Sequence, residues 1–383
     1  MKKIFALGVA LAFATGSALA DYTMVVPQKP GGGTSVWASI VAKEMEKYLG
    51  EKIDIKHIPG GRDIPGFNKF HNELQNDDKT IMVSHGGNGV AFLQEEVDYN
   101  YADYDSVGLM NLNIIVGKRV GADMDKPSFA AGSGMVPEAF AMAQLICGPQ
   151  PSVDAYVGCF AEHVTWVPGM GGGERRLAFK RGELTGHREN PAAFKKHVQP
   201  LIDAGDAELW FHHGILQADG THADDPNYAG YQFELLYEKR WGQKPAGEMY
   251  DAYKLVKSFR DGMQKALWVR KGNPNTQALR DALNKVATTP ESVAAIQKKV
   301  GKYDWVIGKA GNAHRDTLMT FITEPALKNL VKFNTEALGL KSVYKTALLK
   351  KQEPTLTEVV TKTADKVEEG STKIWDTVTG WFK

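Results

Sequence analysis

Residues 22–50 constrain the fold more than any other stretch, because an apolar run, a glycine-rich turn and a helical pattern follow one another directly. Residues 22–26 are suited to a buried strand, and the turn over 27–35 contains three consecutive glycines. Beyond the turn, apolar side chains recur at helical spacing as Val36, Trp37, Ile40, Val41, Met45, Tyr48 and Leu49. Gly50 is a suitable C-terminal stop. The stretch therefore predicts a strand, a turn and an amphipathic helix.

The turn itself predicts a seat for an anion, either a carboxylate or a phosphate. Gly31, Gly32 and Gly33 carry no side chains, so that a ligand can touch the backbone there. Thr34 and Ser35 can cap the helix, whose N-terminus offers free amides and a positive dipole end to an anion. The turn lacks the Gly-Lys-Ser/Thr of a Walker A loop and the third glycine of a dinucleotide fingerprint. A plain connection between strand and helix is the alternative.

The first twenty residues predict export. Lys2 and Lys3 precede an apolar segment over 4–14, and Ala18-Leu19-Ala20, with alanine at both ends, forms a cleavage site before Asp21. A membrane anchor is the alternative, but this apolar run is too short to span a bilayer and no other run is long enough. No cysteine follows the cleavage site, which argues against a lipid anchor. We therefore predict a soluble exported protein, secreted through a cleavable signal peptide.

Charge and cysteine content bear on the partners and on the cross-links of the chain. The chain has 46 Lys and Arg against 45 Asp and Glu, and loss of Lys2 and Lys3 would change the net charge from +1 to about −1. This balance is not the electrostatic footprint of a nucleic-acid-binding protein. Cys147 and Cys159 are the only cysteines, and export permits a disulfide bond between them. Two free buried thiols are the alternative.

The succession of strand, glycine turn and helix occurs in both halves of the chain. In the first half, a strand over 81–84 runs into the glycine-rich residues 85–89. In the second half, residues 129–131 lead into Gly132-Ser133-Gly134 and then into a helix over 136–146. Ligands of open α/β sheets bind at the carboxyl ends of the strands. The two halves therefore predict two α/β lobes with a ligand cleft between them.

Several segments are similar, in the same order, to the motifs of one family of receptors. That family opens with a strand and a Pro-Phe-x-x-Gly-Gly-x-x-Asp turn, which residues 27–35 resemble. Further similar segments, in chain order, are 78–83, 131–141, 163–169, 182–185, 198–205 and 267–274. Over about residues 22–340, the chain thus resembles the solute-binding receptors of tripartite tricarboxylate transporters, the Bug-type periplasmic receptors.

The resemblance implies both a fold and a function. The fold would be the two-lobed type II periplasmic binding protein fold, α/β, in which each lobe is a mainly parallel sheet flanked by helices. The function would be that of a monomeric receptor, without catalytic activity, metal or other cofactor. It would capture a small di- or tricarboxylate, or a related organic acid, and deliver it to a tripartite-type membrane permease. A receptor that feeds a sensor kinase is an alternative output.

The resemblance also implies that backbone amides, hydroxyls and bridging waters of the glycine turns hold the carboxylate. The implied ligand-binding residues are Gly31, Gly32, Gly33, Thr34, Ser35, Ser84 and His85 of the first lobe, with Gly132, Ser133, Gly134 and Thr165 of the second. Neutral donors bind an anion without burying an unpaired positive charge. Helix capping is the alternative role for Ser84 and Ser133. The chain departs from the family at Gln28, Ser35 and Thr185, where the family has an aromatic residue and two aspartates.

The predicted parts of the chain are a signal peptide (1–20), a first lobe (21–121 and 266–350), a second lobe (122–265) and a C-terminal amphipathic extension (351–383). Closure of the cleft is predicted to be a hinge motion at two crossings, near residues 118–127 and 260–268. Residues 215–262 are longer than the family needs between its lobes. We interpret them as an elaboration of the second lobe.

Two other kinds of site are less consistent with the sequence. His212, His213 and His222 with Asp224 and Asp225 contain metal-ligand residue types, but their spacing fits no zinc signature. An exported serine hydrolase would need an activated nucleophile, and no Gly-x-Ser-x-Gly elbow occurs in the chain. The hydrolase remains the alternative from a different functional class.

Overall fold

The strands of the chain form one large and one small main sheet. The computed structural model describes residues 22–131, 136–217, 219–302 and 304–340, so the predicted signal peptide and C-terminal extension lie outside the described residues. The strands are β1 Tyr22–Val26, β2 Ile53–His57, β3 Thr80–His85, β4 Tyr104–Asn111, β5 Ile115–Arg119, β6 Ser128–Ala130, β7 Thr165–Val167, β8 Gly186–Glu189, β9 Ala207–His212, β10 Ile215–Leu216, β11 His222–Ala223, β12 Lys265–Arg270 and β13 Asp304–Ile307.

Helices cover both sheets. They are α1 Gly33–Leu49, α2 Ile64–Asn72, α3 Pro137–Cys147, α4 Val153–His163, α5 Gly172–Lys180, α6 Pro191–His197, α7 Gln199–Asp203, α8 Phe233–Trp241, α9 Glu248–Gly262, α10 Thr276–Thr288, α11 Pro290–Val300, α12 Lys309–Met319 and α13 Glu324–Glu336. The predicted strand, turn and helix of the first fifty residues are confirmed. Of the predicted apolar stripe, Trp37, Val41 and Met45 are buried, whereas Val36 and Tyr48 are exposed. Gly50 ends the helix in the left-handed conformation with its amide donating to Glu46 O. Within the described part of the chain, no helix is long and apolar enough to cross a membrane.

The large sheet belongs to the first lobe and has the strand order β13-β4-β12-β3-β1-β2. β1 pairs in parallel with β2 and β3, as the predicted strand–helix–strand unit requires. β12 lies between β3 and β4 and is antiparallel to both. β13 pairs antiparallel with β4 at the edge. This sheet is therefore mixed.

The small sheet belongs to the second lobe and has β5 at its centre, between β8 and β9. Both pairings of β5 are antiparallel, whereas the neighbouring pair β6–β7 is parallel. The amide of Thr185 donates to the carbonyl of Ser128 at 3.1 Å and so ties the start of β8 to β6. The expectation of a mainly parallel sheet is therefore wrong for the second lobe.

The antiparallel direction of β5 and β12 has a common geometric cause. β5 follows the first crossing between the lobes, and β12 follows the second crossing. Each strand enters its new lobe at the edge that faces the cleft, where the parallel strands of that lobe end. It must therefore run against them. Lys265, the first residue of β12, consequently pairs with His85, the last residue of β3.

The crossings correct the predicted lobe boundaries. Because β4 lies in the large sheet and β5 in the small one, the first crossing is at residues 112–114 and not at 118–127. The return crossing lies between α9 and β12, inside the predicted range 260–268. α13 then packs against α9 and α4, although it belongs to the segment predicted for the first lobe. The ring of Phe333 lies 4.6 Å from that of Phe140 and 5.3 Å from that of Phe160.

A continuous hydrophobic core joins the two lobes through α9. This core includes Phe70 and Trp268 beside the large sheet as well as Phe140 and Phe233 on helices of the second lobe. α9 packs against α3, α13 and β4. Residues 215–262, predicted as an elaboration, thus supply the central helix of the molecule. As predicted, Cys147 and Cys159 form a disulfide bond, which ties α3 to α4.

Candidate functional site

A cavity of about 330 Å³ opens between the lobes, at the edge where β1 ends and β12 begins. Its lining comes from both lobes: Gly31, Gly33, Val36, Leu112, Gln264, Lys265 and Lys299 on one side, and Asn190, Ala193, Lys196 and His197 on the other. Val36 stands on the exposed side of α1, and Leu112 and Gln264 are residues of the two crossings. The cavity is large enough for a small organic molecule.

The N-terminus of α1 forms one wall of this cavity. Gly32 is the N-cap and has an extended backbone, so the predicted caps Thr34 and Ser35 lie instead inside the first turn. The amides of the first turn have no intrahelical partners and point out of the helix end. Gly31 adopts a φ of 80°, which favours glycine. Its amide donates to Ser35 Oγ at 3.3 Å and closes the turn.

A lysine stands beside this helix terminus. Lys265 is partly buried, and its Nζ donates to Thr34 Oγ1 at 2.9 Å. Burial lowers the pKa of Lys265 to about 8, against the opposing attraction of Asp63. In the described part of the chain, no carboxylate lies within ion-pair distance of Nζ. A bound anion would provide the negative counter-charge that is missing beside this ammonium.

The remaining charged groups of the cavity have the same sign. Lys196 and Lys299 line it from opposite lobes, and none of the described residues that line it is an aspartate or a glutamate. Burial and the neighbouring Arg176 lower the pKa of His197. The lysines and the α1 terminus together give the cavity a positive potential, which favours an anionic ligand.

A chain of hydrogen bonds fixes the β1–α1 turn from below. Asp63 Oδ2 lies 2.6 Å from His85 Nδ1, and His85 Nε2 lies 2.9 Å from Gln28 Nε2. His57 bonds to the same turn, through Gln28 O at 2.8 Å and Ser35 Oγ at 3.3 Å. His57 and His85 are the last residues of β2 and β3, and Gln28 follows the end of β1. These hydrogen bonds hold the turn, and none of them was predicted from the sequence.

Comparison with known proteins identifies the fold. No family model matches the sequence, and no curated protein sequence matches it significantly. Solved structures do match: a TctC solute-binding protein from Polaromonas, without ligand, is 15% identical with a TM-score of 0.54, and covers 81% of this chain and 98% of its own. A structure described as a periplasmic transporter is 15% identical with a TM-score of 0.50, and the match covers 84% of this chain and 98% of that one. The chain has the fold of a type II periplasmic solute-binding protein. The periplasmic binding protein BugD is also similar, at 15% identity and a TM-score of 0.49, covering 84% and 98%.

Within this binding-protein fold, only some of the predicted ligand residues reach the cavity. Gly31 and Gly33 line it, and Gly32 lies exposed between them. Thr34, Ser35 and His85 stand next to the cavity in the hydrogen bonds described above. Gly132, Ser133 and Gly134 lie outside the described residues.

Two predicted residues are placed elsewhere in the binding-protein fold. Ser84 is buried, and its Oγ accepts a hydrogen bond from Trp268 Nε1 at 2.8 Å, because its side chain points into the core side of β3. Thr165 is the first residue of β7 and so lies at the opposite end of that strand from the glycine turn that follows it. Neither residue belongs to the cavity lining.

A buried group of charged side chains lies behind the cavity. Glu138, on the first turn of α3, is 3.0 Å from Arg260 Nη1, 3.4 Å from Arg188 Nε and 3.7 Å from His213 Nε2. Burial opposes ionisation of Glu138, but the Arg260 charge and His213 outweigh it and hold the pKa of its carboxyl below the usual value. Burial raises the pKa of Asp261 to about 6, against His213 and Arg260. The group is joined to the first crossing, because the amide of Leu112 donates to the carbonyl of Asp261 at 3.1 Å.

The cleft lysines were missed because no local pattern marks them. Lys196 and Lys299 lie on helices that read as ordinary amphipathic surfaces, and Lys265 opens an apolar strand. Lys265 could have been found from its place in the chain, because it is the first residue of the strand that follows the return crossing, and such a residue lies at the cleft. The histidine–aspartate group weighed as a metal site is engaged in protein contacts, with His212 3.0 Å from Asp224. The described residues contain no group arranged to hold a metal ion.

Proposed function

We propose that this protein is a periplasmic receptor that binds a small organic carboxylate in the cleft between its lobes and performs no chemistry on it. The observation that carries the proposal is the conjunction of the α1 N-terminus with Lys265, Lys196 and Lys299 around one cavity without an acidic residue among its described lining. The fold shared with solute-binding proteins supports a binding function.

The size and charge of the cavity favour a small acid over a sugar or a neutral solute. A carboxylate can accept hydrogen bonds from the amides of the α1 terminus and from the Lys265 ammonium at the same time. Lys196 and Lys299 also line the cavity and can pair with a second acidic group of the ligand. We therefore propose di- and tricarboxylates, or related organic acids, as the ligand class.

The test is a thermal-shift and calorimetry screen of the mature protein against mono-, di- and tricarboxylates, with sugars and neutral amides as controls. At about 100 times Kd, a ligand that binds only the folded state adds about 2.7 kcal/mol to the free energy of unfolding. We expect one class of carboxylates to raise the melting temperature and the neutral solutes to leave it unchanged.

The variant Gly33→Asp separates binding in this cleft from binding elsewhere. A Cβ at Gly33 meets nothing within 4 Å, so the aspartate fits sterically but places a negative charge in the anion seat. Gly158→Asp is the matched control, because Gly158 is exposed on α4 and its Cβ also meets nothing within 4 Å. Gly33→Asp should abolish carboxylate binding and Gly158→Asp should preserve it. Absence of a shift with every acid would refute the proposed ligand class.

We further propose delivery of the ligand to a membrane permease of the tripartite tricarboxylate type. This partner rests on the resemblance of residues 27–35 and the later segments to that receptor family. Uptake of the radiolabelled ligand by cells that lack the receptor should fall to background, and expression of the receptor, but not of Gly33→Asp, should restore it. Uptake that is unchanged without the receptor would exclude this output.

A further inference from the structure

We propose that Gln28 is a specificity residue of the cleft, held by His85 and Asp63 so that its carbonyl oxygen accepts a hydroxyl group of the ligand. The receptor then prefers acids that carry a hydroxyl beside the carboxylate over the same acids without it. This inference rests on the proposed function and narrows its ligand class.

The hydrogen bonds of His85 determine which way the Gln28 amide faces. His85 Nδ1 lies 2.6 Å from the Asp63 carboxylate, which can only accept, so Nδ1 carries the hydrogen. The atom 2.9 Å from His85 Nε2 is the Gln28 amide nitrogen, which can only donate, so Nε2 accepts this hydrogen bond. The Gln28 carbonyl oxygen consequently points away from His85. It has no hydrogen-bond partner in the part of the chain that the structure describes.

Gln28 lies in the turn that forms one wall of the cavity. Gln28 belongs to the same turn as Gly31 and Gly33, which line the cavity, and it is only half-buried. His85 is the register partner of Lys265 in the β3–β12 pair. Gln28 is not itself a lining residue, so its carbonyl oxygen would reach the ligand from the rim of the cavity.

The backbone at Asp63 indicates that this arrangement is maintained at a cost. Arg62 and Asp63 have φ values of 55° and 65°, and no other described residues except glycines have positive φ. Non-glycine residues are uncommon in this region because the conformation is strained for them. The strained pair brings the carboxylate of Asp63, which is 4% exposed, under His85. Strain of this kind concentrates at functional sites.

The positive charge of the cavity determines whether Gln28 would accept a hydrogen bond from a hydroxyl or from an ammonium group of the ligand. A hydroxyl and an ammonium can both donate to the Gln28 carbonyl. An ammonium would, however, enter a cavity that already contains Lys265, Lys196 and Lys299. Repulsion from these like charges disfavours it. The group that fits Gln28 is therefore the hydroxyl of a hydroxy acid.

The experiment compares matched acids by calorimetry: 2-hydroxysuccinate, succinate and 2-aminosuccinate, and 2-hydroxypropanoate with propanoate. For the natural chain we expect the hydroxy acid to bind about tenfold more tightly than its plain counterpart, as one additional hydrogen bond predicts. Gln28→Met is nearly isosteric and should bring the affinities of the two acids within about twofold of each other, whatever the change in the affinity of the plain acid. Gln277→Met, at an exposed position of α10, is the matched control and should keep the preference.

Asp63→Asn tests the positioning role separately. Asparagine tolerates the left-handed backbone, but its amide can donate as well as accept. His85 can then take the other tautomer and the Gln28 amide can turn around, so the ratio of the two affinities should shrink. A purely structural role of Asp63 would weaken both acids equally.

Each outcome of this comparison is decisive. The inference is overturned, with the proposed function intact, if acids bind but the natural chain shows no preference for the hydroxy acid. It is also overturned if the 2-amino acid binds more tightly, or if the preference survives in Gln28→Met. If none of the acids binds, the proposed function falls and this inference falls with it.

Discussion

Replacement of Lys265 by methionine should affect ligand binding and stability in opposite directions. The side chain is partly buried, its Nζ donates to Thr34 Oγ1 at 2.9 Å, and burial lowers its pKa from 10.5 to about 8. Methionine retains the apolar stem and removes only the charge. A hydrogen bond to a charged group is worth about 1.5–3 kcal/mol, so Lys265→Met should weaken binding of a carboxylate by about 10- to 150-fold.

The free energy of unfolding should rise in the same variant. Below pH 8 the lysine is protonated in both states, and the folded state bears the full cost of the desolvated ammonium. This cost corresponds to up to about 3 kcal/mol for a fall of the pKa from 10.5 to about 8. As the pH rises from 8 to 10.5, the unfolded state binds more protons and the natural chain gains stability. The advantage of Lys265→Met should therefore be present at pH 7 and vanish near pH 10.5.

The pH dependence of binding provides a second measurement of the same effect. A bound carboxylate stabilises the ammonium, so binding above pH 8 must be accompanied by proton uptake at Lys265. Affinity should fall by up to about tenfold per pH unit above 8, whereas binding by Lys265→Met should be flat over that range. Calorimetry at pH 7, 8 and 9 in buffers of different ionisation enthalpy measures the proton uptake directly.

The matched control for this prediction is Lys52→Met. Lys52 is exposed, and its carbonyl accepts from the amide of Tyr22 at the edge of the large sheet opposite the cleft. It should change neither the affinity nor its pH dependence. The reasoning is refuted if Lys265→Met binds as tightly as the natural chain, or if both binding and stability decline together.

Three further predictions concern stability, measured by chemical unfolding. Burial raises the pKa of Asp261 from 3.8 to about 6, so the folded state binds more protons than the unfolded state between these pH values. The free energy of unfolding should therefore fall by about 3 kcal/mol as the pH rises from 3.8 to about 6. Asp261→Asn should remove this fall, and a variant with the same pH profile as the natural chain would contradict the prediction. Reduction of the bond between Cys147 and Cys159 should cost about 3 kcal/mol, and a double serine variant should be insensitive to reductant. A Cβ at Gly86 would lie 1.7 Å from a backbone oxygen of α9, so Gly86→Ala should cost about 1–3 kcal/mol, while Gly61→Ala, with nothing within 4 Å, should be neutral; equal effects of the two would argue against the close approach.

Local features of the first lobe could be predicted from sequence because neighbouring residues determine them. The stripe that includes Trp37 and Met45 fixed the buried face of α1, and Gly50 fixed its end, since both depend on helical period and on a left-handed cap. The pairing of Cys147 with Cys159 also required only a short intervening loop. These features hold whatever the rest of the chain does.

The direction of β5 and β12 could not be predicted in this way. An apolar strand has the same pattern whether it runs with or against its neighbours, and its direction depends on the edge at which the chain enters the lobe. The position of Lys265 follows from that direction. The cleft lysine and the correct crossing at residues 112–114 were therefore missed for the same reason. Asp63 was missed because its role depends on a left-handed backbone conformation that the neighbouring residues do not predict.

The central position of β12 has a consequence for the order in which the molecule can assemble. β4 ends at Asn111 and β12 begins at Lys265, so roughly 150 residues separate the strands that must lie side by side. A chain delivered from its N-terminus presents β3 and β4 with open edges until that late strand arrives. Contacts so distant in sequence form slowly. An N-terminal fragment ending near residue 220 should therefore fail to form the first lobe, and the nascent chain should depend on protection from aggregation until its last third has emerged.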